Sequence, residues 1–200
     1  SISLAGVATA DVLWDQTAGY ESWSQGFFNV IGGSGPWGMT AYSVNDVVVP
    51  AGGWTVDSFK LYYDSLDATW ADFVTSAILY VEPKTGSMPT GDPGTGTTIP
   101  VTVTLLPNLF LEVHASGMGL ALSEGEYWIG LTPLAPTADN IFVSVPAVGD
   151  DTYTYDPNGW PMPGWAGWVP GYDGAILIEG TGGAVPVETD TWGGLKAIYR

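Results

Sequence analysis

In the second half of the run 54–63, from Ser58 on, apolar side chains recur at every second position. Phe59, Leu61 and Tyr63 fall on one side, Ser58 and Lys60 on the other. A period of two is the mark of a strand with one buried face. Residues 97–105 alternate in the same way, with Ile99, Val101, Val103 and Leu105 set to face inward and Thr98, Thr102 and Thr104 outward. Pro100 interrupts that run on its outward side, which predicts an edge strand or a bulge because proline cannot donate to a ladder. Residues 141–145 alternate again, and 76–81 form an apolar run that reads as a central strand. Pro50-Ala51-Gly52-Gly53 joins a Val-rich strand to the one beginning at Trp54. Residues 109–113 and 118–122 read as the next pair, 127–131 follow a turn at 123–126, and 174–180 close the series. With one or two short strands before residue 40, the rhythm is about nine strands, spaced about ten residues apart, as in a sandwich. The expected fold is all-β: a single antiparallel β-sandwich of jelly-roll type with extended N- and C-terminal segments.

Composition agrees with this pattern. The 200 residues include 28 Gly and 15 Pro but only 4 Lys and Arg together. Long helices draw on Lys, Arg, Glu and Gln, so a helical fold is excluded. The formal net charge of −17 excludes nucleic acid and anionic lipid surfaces as partners, since both require a basic footprint. It favours solubility and attracts cations. With no Cys there are no disulfides, thiolate chemistry or zinc–thiolate sites. No apolar run reaches the roughly 20 residues of a membrane span.

Three segments are expected: residues 1–10, 11–180 as the sandwich, and 181–200. The opening segment carries no charged side chain, and Ala8-Thr9-Ala10 is similar to the end of a signal peptide. It reads as a signal-peptide remnant or as a docking strand, and both readings imply export through a signal peptide to an extracellular or cell-surface location. Residues 181–200 are a Gly/Pro linker followed by an amphipathic tail holding Lys196 and Arg200, two of the four basic residues.

The stretch from Asn45 through Pro50-Ala51-Gly52-Gly53-Trp54 to Thr55-Val56-Asp57-Ser58 resembles a motif of secreted bacterial jelly-roll β-sandwich proteins. So do the Pro/Gly-rich turn near residues 88–96, the run Leu122 to Ile129 with Tyr127-Trp128 inside it, and the closing strand 174–180. Thr191 to Arg200 is similar to the C-terminal sorting-like tail of such proteins. The resemblance implies a sandwich fold and export; the family is mostly of unknown function, so no reaction follows from it.

Candidate chemistry is sparse. His114 is the only histidine, and no Gly-x-Ser-x-Gly elbow or Ser-His-Asp spacing accompanies it. Glu124/Glu126 and Asp150/Asp151 are the available carboxylate pairs, the former in a turn that needs polar residues in any case. Residues 150–173 gather Asp, Tyr, Trp, Gly and Pro. In that stretch Asp150, Asp151, Asp156 and Asn158 offer the oxygen donors a Ca2+ ion takes, although Asp156-Pro157-Asn158-Gly159 is equally a plain turn. Trp160, Trp165, Trp168 and Tyr172 offer flat faces for a glycan, or a cover over one end of the core. Both termini carry contact residues. Ile2, Leu4 and Val7 suit strand addition to a neighbour. Trp192, Leu195, Ile198 and Tyr199 supply apolar contacts, with Lys196 and Arg200 to meet an acidic neighbour. The sequence therefore predicts a non-catalytic structural subunit of an extracellular assembly (a filament, tube or surface layer), joined to copies of itself through its terminal segments. The alternative is a secreted carbohydrate-binding module. No cofactor is required under the first reading, and Ca2+ fits the second.

Overall fold

A computed structural model describes residues 10–23, 25–32, 40–147, 152–157, 164–167 and 169–182. In chain order its strands are β1 (Asp11–Gln16), β2 (Gly26–Phe27), β3 (Tyr42–Val49), β4 (Trp54–Asp64), β5 (Ser76–Pro83), β6 (Thr97–Pro100) and β7 (Thr102–Leu105). They continue as β8 (Phe110–Leu122), β9 (Gly125–Pro133), β10 (Ile141–Pro146), β11 (Tyr153–Asp156), β12 (Gly164–Gly167), β13 (Tyr172–Gly174) and β14 (Ile176–Gly182). One short helix, α1 (Trp70–Phe73), follows β4.

The strands form two antiparallel sheets packed together as a sandwich. One has six strands in the order β12-β11-β3-β9-β5-β6. The other has eight: β4 lies between β8 and β14, β1 flanks β14, β7 flanks β8, and β10 with β2 and β13 extends one end. The inward positions of β4 (Phe59, Leu61, Tyr63), β8 (Leu111, Val113) and β14 (Ile176, Ile178) meet Val47 and Val49 of β3 and Ile129 and Leu131 of β9 in one buried cluster. Burial of these side chains, at about 25 cal/mol per Å² of apolar surface, is what holds the sheets together.

Two differences from the sequence pattern have physical causes. The run 97–105 is two strands, because the chain leaves the six-stranded sheet at Pro100 and enters the eight-stranded sheet at Thr102, each time as an edge. Residues 109–113 and 118–122 are not a pair but belong to one 13-residue strand, β8. A bulge lets that strand continue: Ser116 pairs with Ser58 and Leu120 with Val56, and Gly117 (φ 66°) and Gly119 (φ 58°) take the left-handed conformations in between.

Two buried asparagines are well partnered where they link neighbouring elements. The Asn29 amide donates to Tyr63 Oη and to the Leu131 carbonyl, both at 2.9 Å, and its oxygen accepts from Ser43 N and Thr132 Oγ1. Asn45 Nδ2 donates to the Gly174 carbonyl, and Asn45 Oδ1 accepts from Thr152 Oγ1. Unpaired, such groups would each cost about 1–3 kcal/mol, so these contacts fix the sheet register as well as filling space.

Candidate functional site

Three surfaces carry chemistry. On the outer face of the eight-stranded sheet, the alternation of β4, β8 and β14 projects Ser58, Lys60, His114 and Glu179 to one side. His114 Nε2 lies 3.0 Å from Ser58 Oγ, which donates to Glu179 Oε2 at 3.1 Å; Lys60 Nζ holds the same oxygen at 2.8 Å. The hydrogen bond from Lys60, aided by Ser58 and by the nearby His114 charge, holds the Glu179 carboxyl below its ordinary range despite partial burial. The order of the groups matters. Activation of a serine nucleophile needs the imidazole between hydroxyl and carboxylate. Here the serine is in the middle and its proton points at a carboxylate already neutralised by lysine. The cluster ties three strands together. It was invisible in sequence because Ser58, His114 and Glu179 come from three strands that only the register aligns.

On the outer face of the six-stranded sheet, Tyr42, Tyr80, Trp128, Tyr153, Tyr155 and Trp165 gather. Tyr155 and Trp165 ring centroids are 5.2 Å apart, Tyr80 and Trp165 6.1 Å, and Trp128 and Tyr153 5.4 Å edge to face. Lys84 Nζ sits 4.9 Å over the Trp128 ring and 2.8 Å from Asp46 Oδ2, a mostly buried ion pair. Glu82 collects Tyr80 Oη, Thr90 and Gly91 N, and the Trp165 indole donates to the Gly91 carbonyl at 2.8 Å, so the loop after β5 is laced to this face. Burial, then the Glu82 carboxylate, push the Tyr80 hydroxyl well above its ordinary range; burial and Asp92 act likewise on Tyr42. Tyr153, Tyr155 and Trp165 stay half-exposed and Trp128 is fully buried.

The third surface is an end of the sandwich. At the Asp64 end of β4 lie Leu66 (67 % exposed), Phe73 of α1 (65 %), Leu105 closing β7 (42 %) and Leu109 (68 %). In the β7–β8 hairpin Leu109 N donates to the Leu106 carbonyl and the Leu109 carbonyl accepts from Ser65 N, and α1 packs beside β7. Leu105 was expected inside. It pairs with the buried Leu111, but an edge strand's last residue has nothing beyond it to cover it. Asp64, Asp67 and Asp72 lie within two residues of Leu66 or Phe73 along the chain. The two lysines among the described residues are engaged elsewhere, with Glu179 and Asp46. The terminal segments attach at the other end: Asp11 pairs with Gly180, and Gly182 with Trp54.

The residues singled out from sequence scatter across this map. Trp165 joins the aromatic face, whereas Tyr172, on β13, packs against the core under the other sheet, so the two do not share a platform. Asp156 is buried on β11 opposite Gly164. Trp160, Trp168, Asp150, Asp151 and Asn158 lie outside the described residues, as do Ile2, Leu4, Val7 and all of residues 183–200. Among the described residues no cluster of three or more His, Cys, Asp or Glu is spaced to hold a metal, and no helix is long and apolar enough to cross a membrane. Within 150–173, Tyr153–Asp156 and Gly164–Gly167 pair with each other as β11 and β12, and β11 adds them to the edge of the six-stranded sheet beside β3. No family model, curated protein or solved structure matches the chain.

Proposed function

We propose that this protein is a non-catalytic structural subunit that associates with copies of itself, in keeping with an exported, extracellular assembly. The observation that supports this most is the bare apolar end formed by Leu66, Phe73, Leu105 and Leu109, facing away from the end where both terminal segments attach. Several large apolar side chains exposed at one end of a strongly charged protein favour an interaction site there. A docking surface at one end and connecting segments at the other is a heterologous arrangement, which generates rings or filaments rather than closed pairs. Sedimentation velocity of the full chain over rising concentration tests it. Growth of large species is expected, and Leu66→Ser with Phe73→Ser should abolish them; a monomer at every concentration would refute the proposal.

A glycan-binding role for the outer face of the six-stranded sheet is the second reading. Half-exposed Tyr153, Tyr155 and Trp165 beside the Glu82-anchored loop favour it, with Ca2+ at Asp150, Asp151, Asp156 and Asn158 as its companion. Tryptophan fluorescence titrated with oligosaccharides, with and without EDTA, decides it: no response to any glycan ends this reading.

A further inference from the structure

Leu109 is the one non-glycine among the described residues with a left-handed backbone, at φ 65°. A branched side chain there costs about 1–2 kcal/mol, and a turn of this kind favours Gly or Asn. Burial of the side chain does not offset that cost, since Leu109 is 68 % exposed. The strain is tolerated in order to hold an apolar side chain out at this end of the molecule, beside Leu66, Phe73 and Leu105. A strained residue kept in place is a pointer to function.

Resting on the assembly reading, we infer that this end binds the C-terminal segment 192–200 of the next copy, with Trp192, Leu195, Ile198 and Tyr199 on the leucines and Phe73, and Lys196 and Arg200 against Asp64, Asp67 and Asp72. Charge argues for it. Lys60 and Lys84 are committed to ion pairs within the sandwich, so Lys196 and Arg200 are the only other basic residues of the chain, and they sit in an apolar segment. The apolar end, with Asp64, Asp67 and Asp72 near it along the chain, is the surface of matching character. β14 ends at Gly182, opposite Trp54 and at the far end of β4 from this surface, so a copy stacked end to end brings the surface next to Gly182. Head-to-tail repetition of one contact then builds a linear polymer.

The chain has no Cys, so introduced thiols report contacts cleanly. One full-length chain carries Leu66→Cys, another Ile198→Cys; they are mixed, allowed to assemble and oxidised. A disulfide between the two chains is expected, and Lys196→Glu with Arg200→Glu should raise the concentration needed for assembly by about tenfold or more. Asp64→Lys with Asp72→Lys should restore it. Assembly that proceeds without the 66–198 link and is indifferent to the charge changes overturns this inference while the subunit role stands. A chain carrying both cysteines that closes on itself as a monomer overturns the inference as well. Absence of any assembly removes both.

Discussion

The two ends of the sandwich solve the same problem, reversing a strand, with opposite choices of residue. At the Trp54 end the turn Pro50-Ala51-Gly52-Gly53 places glycine at φ 94° and 72°, with Gly53 N donating to the Pro50 carbonyl. A side chain on Gly53 would put its Cβ 2.5 Å from the Leu122 carbonyl oxygen, so only glycine fits. At the Asp64 end the β7–β8 turn puts leucine at φ 65° and leaves it in water. The first turn places glycine where only glycine fits; the second places a leucine in the same left-handed region and leaves its side chain in water.

The comparison can be broken at either end. The largest effect is expected for Gly53→Ala, which meets both a forbidden backbone region and the Leu122 carbonyl; a loss of about 2–4 kcal/mol is expected in denaturant melts. Leu109→Asn should act with the opposite sign, raising stability by about 0.5–1 kcal/mol because asparagine tolerates the left-handed region. Smallest is the stability change for Leu66→Ser with Phe73→Ser, within about 0.5 kcal/mol for each exposed site, even though assembly is lost. A large destabilisation from that pair would show that the end is core rather than contact surface.

Much of the sandwich was legible as a period of two. Phe59, Leu61 and Tyr63 face the core as their spacing requires, and Pro100 marks an edge because it is where the chain changes sheets. What the pattern could not convey was long-range register. The Ser58–His114–Glu179 contact and the gathering of Tyr42, Tyr80, Trp128 and Trp165 depend on strands that are neighbours only after folding. Aromatic composition drew attention to 150–173, yet Trp165 and Tyr172 end up on different sheets because Asp173 and Gly174 pair with β10. The exposed apolar end was hidden for a different reason. Leu105 and Leu109 look like ordinary strand residues in sequence, and only a backbone angle and a missing neighbour reveal that they are not.

The most direct test of the central claim is a paired measurement on Leu109→Asn, thermal melting beside sedimentation velocity. The account predicts a melting temperature raised by about 1–3 °C, as expected for a domain of this size, together with loss of the large species. A variant that melts lower and assembles as the original chain does would contradict it.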